Sequence, residues 1–265
     1  MNAKKLFALA MSAALALTTL TACGTKTETP AASTPAASTP AQLSGTVNLD
    51  GSTSMEKVIK ILIESFNETN PNVTLNYNGS GSGAGITAAI DGTADLGLSS
   101  RELKAEETAK GAAANVVALD GVAVVVNPEN TVEDLTVEQI AKIFSGEITN
   151  WAQVGGTDGV IAVLGREPGS GTRGAFEEIV GVEDACVYNA EYSSTGDMIG
   201  QVSTNPNAIG YASLSAVSGS VKALKVNSVE CTEATVKDGT FPIQRPFLIV
   251  TKSGAELSPA AAAFL

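Results

Sequence analysis

The sequence predicts an α/β protein, and three observations carry that prediction. Strand-like and helix-like stretches alternate along the chain, three successive strand–helix pairs in its first half each place Ser or Thr where the strand ends, and residues 160–176 (VIAVLGREPGSGTRGAF) repeat the arrangement around an arginine. The 265 residues, 44% hydrophobic and 17% charged, suffice for a globular protein of two domains. Aromatic residues make up only 5%, so the core has to be built mostly of Ala, Val, Ile and Leu.

Residues 1–22 start with Lys4 and Lys5, run apolar from Leu6 to Leu17, and end Leu20-Thr21-Ala22 before Cys23. The apolar run is too short to cross a bilayer, so it reads as a secretion signal and not as a membrane span. The Leu-Thr-Ala-Cys ending resembles a bacterial lipoprotein processing box. It implies cleavage before Cys23, a lipid on that sulfur, and a mature protein held outside the cell membrane by its first residue. Residues 23–43, with their AASTP repeat, cannot bury a core and read as a flexible tether. Folding is expected to start at Ser44.

Gly45 to Leu49 (GTVNL) reads as a strand and Asp50 to Ser54 as a turn. Met55, Val58, Ile59, Leu62 and Phe66 then fall on one helical face, with Ser54 placed to cap it. Asn70-Pro71 stops that helix, Val73 to Tyr77 forms a second strand, and the glycine-rich Gly79 to Gly85 (GSGSGAG) precedes a helix at Ile86 to Ile90. Asp95 to Leu98 is a short strand ending at Ser99-Ser100-Arg101, after which Glu102 to Lys110 turns helical. Asn115 to Asn127 is a longer β pattern interrupted at Asp120-Gly121. Thr136 to Phe144 is a helix with Val137, Ile140, Ile143 and Phe144 inward, and Trp151, the only tryptophan, is expected as a packing anchor. Val160 to Leu164 reads as a buried strand whose following helix reaches Val180. Asn189 to Ser194 is not strand-like, Gly196 to Ser203 is a helix, and Ala208 to Tyr211, Val221 to Val226 and Phe247 to Thr251 are further strands. Ser258 as N-cap and Pro259 in the first turn open a helix that runs to Leu265 without a C-cap, the pattern of a chain truncated at its C-terminus.

The corner after Leu164 gathers Arg166, Ser170, Gly171, Thr172 and Arg173. Glycine lets backbone approach a ligand, two hydroxyls can donate, a guanidinium forks two hydrogen bonds, and a helix start presents unpaired N–H groups. Such a corner suits an oxyanion. Gly169, Gly171 and Gly174 also satisfy G-x-G-x-x-G, but the dinucleotide fingerprint needs an acidic residue at the end of a following strand. Glu191 stands at about the right distance in a stretch that does not read as one. A phosphate loop of the Walker type would need a lysine that is absent. The plainer reading, an ordinary Ser/Gly turn with a surface arginine, does not explain why Ser or Thr recurs at the three earlier strand ends, the edge where α/β sheets bind ligands.

Composition removes several chemistries. There is no histidine, which excludes a Ser-His-Asp triad, imidazole bases and zinc sites that use His. Cys186 and Cys231 can pair as a disulfide or stay as lone thiols. The net charge is −12, and loss of residues 1–22 removes two lysines and no acid, leaving 14 basic against 28 acidic side chains, or −14. A surface so acidic argues against nucleic acid as a partner. An anionic ligand would have to be won by short-range donors against the global field.

Taken in order, DGSTSMEKV, YNGSGSGAGI, DLGLSSREL, GREPGSGTRGAF, NPNAIGYASL and RPFLIV resemble the PstS family, the substrate-binding lipoproteins of bacterial high-affinity phosphate ABC importers. The resemblance implies a type II periplasmic-binding-protein fold, with two α/β lobes joined by crossing strands and the ligand in the cleft between them. Lobe one would be residues 44–125 with a return at 216–265, and lobe two residues 126–215. It implies phosphate contacts at Thr53 and Ser54 in the first loop, Ser82 in the second, and Arg166, Ser170, Gly171 and Thr172 in the central corner. Many family members carry in the third loop an aspartate that accepts the phosphate's proton, and Ser100 stands there in this sequence. Its neighbour Arg101 is a candidate for a second charge-assisted bond, and Glu102 for a replacement acceptor.

The function implied is capture of inorganic phosphate and delivery to the permease and ATPase subunits of an ABC importer. No catalytic residue, cofactor or metal is implied. A serine carries no charge to repel sulfate, so a site for sulfate, molybdate or phosphonate is the alternative. A phosphoester hydrolase using Ser82 or Ser170 would lack both a histidine base and an evident carboxylate cluster for two metals. An adhesin or stalk protein would explain the tether but not the Ser/Gly corners.

Overall fold

In the computed structural model, which describes residues 42–265, the chain opens with three strand–helix units. They are β1 (Gly45–Gly51) and α1 (Glu56–Thr69), β2 (Val73–Asn78) and α2 (Ser82–Asp91), and β3 (Leu96–Ser99) and α3 (Ala105–Ala109). β1 lies between the other two and parallel to both, with Leu49 opposite Tyr77 on one side and Leu96 on the other. Alternation buries Val47 and Leu49 of β1 with Leu96 and Leu98 of β3 against Met55 and Ile59. Ser54 does not cap α1 as expected: the cap position falls one residue later, on Met55, and the Ser54 hydroxyl points elsewhere.

β4 (Ala112–Val126) is one strand of 15 residues. The interruption expected at Asp120-Gly121 does not occur, because both residues pair in the ladder with Arg245 and Gln244. β5 (Asp134–Leu135), α4 (Val137–Phe144), a 3₁₀ turn at Trp151–Val154, β6 (Ala162–Arg166), α5 (Gly171–Val180), β7 (Ala190–Tyr192), α6 (Thr195–Thr204) and β8 (Ala208–Ser213) follow. Two further short strands, β9 (Lys222–Ala223) and β10 (Lys225–Val226), precede α7 (Glu233–Lys237), β11 (Gln244–Lys252) and α8 (Pro259–Phe264).

Three expectations are corrected here. Val160 is 72% exposed and the strand begins two residues later, running on to Arg166. The stretch around Glu191 does hold a strand, β7, which pairs in parallel with β6. Val221 to Val226 is split because Leu224 bonds back to Val124, so that β9 pairs with β4 and β10 with β5.

The strand order is β2-β1-β3-β11-β4-β8-β6-β7. β11 runs antiparallel between β3 and β4, and β4 pairs with β11 over its first part and with β8 over residues 122–126. β4 therefore leaves one half of the molecule and enters the other. The apolar clusters divide at the same place. Val47, Leu98, Ile86, Phe247 and Ala261 belong to the clusters of the first half, and Val122, Phe144, Trp151, Tyr211 and Ile243 to those of the second. Leu224, Val236 and Phe241 pack with Val122 and Val124, and β4 and β11 change partners near 120/121 and 243/244.

Cys186 and Cys231 are free thiols, partly buried against the second lobe's core. Burial pushes Cys186 up to about 11 and Cys231 up to about 12. Trp151 is buried, and its indole N–H donates to the Asn207 carbonyl, which makes it the anchor expected. The Ser258 hydroxyl caps α8, whose Phe264 meets Phe66 edge-on at 5.4 Å. The secretion signal, Cys23 and nearly all of the tether lie outside the described residues.

Candidate functional site

The first lobe's contribution depends on how closely α2 sits on the sheet. A Cβ on Gly85 would lie 2.3 Å from the Asp50 carbonyl oxygen, and one on Gly97 would lie 2.5 Å from that of Gly85. Only glycine permits this approach. It brings the start of α2 level with the ends of β1 and β3, so that Ser82 meets the loop after β3. The Ser82 Oγ accepts from the Ser100 N–H at 3.1 Å and lies 3.2 Å from the Ser100 Oγ, to which Ser52 donates at 2.9 Å. All three side chains are buried. The Tyr77 hydroxyl donates to the Ser52 carbonyl and holds the first loop in place.

In the second lobe, β6 ends on Arg166, which is 1% exposed. Its Nε donates to the Tyr192 carbonyl at 3.0 Å, Nη2 to the Ser193 carbonyl at 2.7 Å, and Nη1 to Thr195 Oγ1 at 2.8 Å. Among the described residues no carboxylate hydrogen-bonds to it. Burial pushes this guanidinium below its usual value, and since arginine keeps its charge in proteins, a desolvated positive charge stands at the strand end. Ser170 caps α5, its hydroxyl oxygen accepting from the Arg173 N–H, which leaves its own proton free to donate. Arg173 does not share the corner's charge: it binds Glu177 and Glu191, lies over the Tyr188 ring, and donates to the Arg166 carbonyl.

The two halves meet through these groups. Ser54 Oγ is 2.5 Å from Thr172 Oγ1 and 3.1 Å from Thr195 Oγ1, and Thr53 Oγ1 is 3.3 Å from Thr195 Oγ1. The Gly83 N–H donates to the Gly169 carbonyl at 3.1 Å. A Cβ on Gly171 would be 2.2 Å from the Ser82 Oγ, so the start of α5 lies directly against the start of α2. Helix starts leave N–H groups without intrahelical partners and carry partial positive charge. The starts of α2, α5 and α6 all border the cluster.

Of the residues singled out in the sequence, Thr53, Ser54, Ser82, Ser100, Arg166, Ser170, Gly171 and Thr172 are brought to one place. Arg101 makes no hydrogen bond to any of them among the described residues. Its terminal nitrogens fork onto both oxygens of Glu107, with a further bond to the Glu102 carbonyl, so its charge is already matched. Glu102 is exposed and lines an outer cavity with Lys104, Arg173 and Glu178, away from the hydroxyls. Two members were missed. Ser52 lies one residue before the loop pair already chosen. Thr195 follows a strand end and opens a helix, the same signal as at the other corners, but it goes unread once the stretch before it is not taken as a strand.

Among the described residues, no carboxylate hydrogen-bonds to any hydroxyl of this cluster, and no group of three or more Cys, Asp and Glu is placed to hold a metal. With no histidine in the chain, no imidazole base is available to the serines of the cluster. The arrangement gathers buried hydroxyls beside a guanidinium that no carboxylate of the described residues hydrogen-bonds, a donor set suited to an oxyanion.

Comparison with known proteins places this geometry among relatives. The model of the PBP superfamily domain matches residues 34–265. The phosphate-binding protein PstS of Bacillus subtilis is 31% identical over 229 residues, spanning 84% of this chain and 75% of that protein. The PstS of Borreliella burgdorferi is 30% identical over 222 residues, spanning 79% and 80%. A crystal structure from Clostridium perfringens, described as a phosphate ABC transporter substrate-binding protein with bound phosphate, superposes with a TM-score of 0.80 at 41% identity, covering 83% of this chain and 91% of that one.

Proposed function

Since the chain belongs to the PstS family of phosphate-binding proteins, with the type II periplasmic-binding-protein fold, we propose that it captures inorganic phosphate between its lobes for delivery to an ABC importer. The observation that carries this reading is the buried guanidinium of Arg166, which no carboxylate of the described residues hydrogen-bonds and which Thr195 links to the Ser54 hydroxyl of the first lobe. Three of its five N–H donors are used by the protein, and two remain for an anion. In this reading Thr53, Ser54, Ser82, Ser100, Ser170 and Thr172 supply hydroxyls. Gly171 supplies a backbone N–H at the start of α5, and Ser52 joins from the first loop. Breaking no bond, the site needs only tight binding with reversible closure, and no catalytic role is assigned to any residue. The protein would act outside the cell membrane, tethered through a lipid on Cys23, with the importer's membrane permease and ATPase as its partners.

A second reading, another tetrahedral oxyanion such as sulfate, molybdate or phosphonate, is favoured by one observation: the position after Ser99 holds a serine that faces only other hydroxyls. A hydroxyl can accept the proton that phosphate keeps near neutral pH, but it places no negative charge against an anion that has none. Calorimetric titration with phosphate at pH 7, repeated in excess sulfate, separates the two. Heat that survives sulfate supports phosphate, and heat abolished by sulfate assigns the site to tetrahedral dianions generally. Arg166→Ala is expected to weaken phosphate at least about tenfold, the scale of one charge-assisted hydrogen bond. Undiminished affinity in a folded variant would overturn the assignment of the site.

A further inference from the structure

We infer that Thr195 is the positioning residue that ties the orientation of the Arg166 guanidinium to the meeting of the two lobes, and that phosphate affinity depends on it through that arginine. The inference rests on the phosphate reading above. Thr195 is 4% exposed and opens α6, yet its hydroxyl does no capping, because Ser194 already accepts from the Asp197 N–H. Its Oγ1 instead accepts from Arg166 Nη1 and lies within reach of both Ser54 and Thr53 across the cleft, while its backbone N–H approaches Thr53 Oγ1 at 3.4 Å.

The chemistry of the hydroxyl dictates the direction of this chain of bonds. A guanidinium can only donate, so Thr195 spends a lone pair on it and keeps its single proton for an acceptor on the other side. Ser54 is the nearer acceptor, and Ser54 in turn lies 2.5 Å from Thr172. A continuous path therefore runs from Arg166 in the second lobe, through Thr195, to Ser54 in the first lobe and back to Thr172 in the second. The other two tethers of Arg166 are backbone carbonyls of the same segment, Tyr192 and Ser193, and they sit on Nε and Nη2. Among the described residues, Thr195 alone holds Nη1 and alone links the guanidinium to a residue of the first lobe. When the lobes separate, Ser54 and Thr53 withdraw from it. The Tyr192 and Ser193 carbonyls keep the guanidinium plane, and the hold on Nη1 is completed only when the first loop arrives and gives the Thr195 proton its acceptor.

The test is a double-mutant cycle read by phosphate titration of the protein, with Thr195→Val and Thr195→Ser each made alone and in the Arg166→Ala background. Thr195→Val should weaken phosphate at least about tenfold, and Thr195→Ser, which keeps the hydroxyl, should stay within about threefold of the parent. In the Arg166→Ala background the Thr195→Val change should cost less than about twofold, since no guanidinium is left to aim. Equal losses with and without Arg166, or a Thr195→Val variant that binds as the parent does, overturn the inference. If Thr195→Val fails to give a cooperative thermal transition, Thr195→Ala replaces it in the same cycle with the same criteria. Absence of phosphate binding by the parent protein would sink the phosphate reading itself, a result distinct from either of these.

Discussion

Arg101 and Arg166 both stand at strand ends beside hydroxyls, and what separates them is the company each keeps. Arg101 meets Glu107 through two bonds of 2.9 and 2.7 Å, whereas Arg166 meets carbonyls and a hydroxyl. For Glu107, burial pushes the carboxyl up, but the hydrogen bonds from Arg101 and the Lys104 N–H, with their charges, leave it below its ordinary value. A carboxylate with a depressed folded-state pKa stabilises the fold above its unfolded value, about 4.3, and loses that contribution as pH falls through the folded value. Glu107→Gln should therefore lower stability by roughly 0.5–1 kcal/mol at pH 7, allowing for solvent screening. Denaturant titrations should show the gap to the parent narrowing as pH falls below the unfolded value, and a gap that does not change with pH would contradict the ion-pair origin. The pairing itself was not legible in the sequence, because Glu107 lies six residues from Arg101 and the docking of α3 decides the contact. The hydroxyls other than those of Ser52 and Thr195 were legible, since each follows a strand end locally. Ser54 meeting Thr172 and Thr195 was not, because those partners are 118 and 141 residues away.

Whole elements follow the same division. Helices and strands with a clear apolar face were readable to within a few residues. β5, β7, β9 and β10 are two or three residues long, show no alternation, and exist because a neighbouring strand is there to pair with. The glycines of residues 79–85 read as freedom of the backbone, but at Gly85 the structure uses them for proximity. Gly85→Ala would drive a methyl into the Asp50 carbonyl and the Gly51 Cα, backbone atoms that cannot step aside. α2 would have to lift from β1 and carry Ser82 away from Ser100. The expected result is a loss of about 2–3 kcal/mol in denaturant stability together with weaker phosphate binding. Unchanged values for both would mean that α2 is not seated by this contact.

Across the whole molecule, the passage between lobes is guarded by one buried ion pair. Asp120 Oδ2 accepts from Arg245 Nε at 3.1 Å and Nη2 at 2.9 Å, and Asp120 Oδ1 accepts from Ser213 at 2.8 Å. Burial pushes the carboxyl up and the guanidinium down, and Arg245 Nη1 has no hydrogen-bond partner, so the pair is expensive to keep and worse to break. Asp120→Asn should cost about 3–5 kcal/mol in chemical denaturation, because Arg245 would remain buried without a countercharge. A small change would mean that the crossing tolerates an unbalanced charge. The position of β11 between β3 and β4 has one more consequence, which concerns time. Residues 122–243 are contiguous and carry their own apolar clusters, whereas the first lobe's sheet has a gap that only residues 244–252 can fill. A ribosome delivers the N-terminal strands first. The half of the molecule made earliest must therefore wait, with the facing edges of β3 and β4 unpaired, for the last strand of the sheet, and it is the middle of the chain that can settle first.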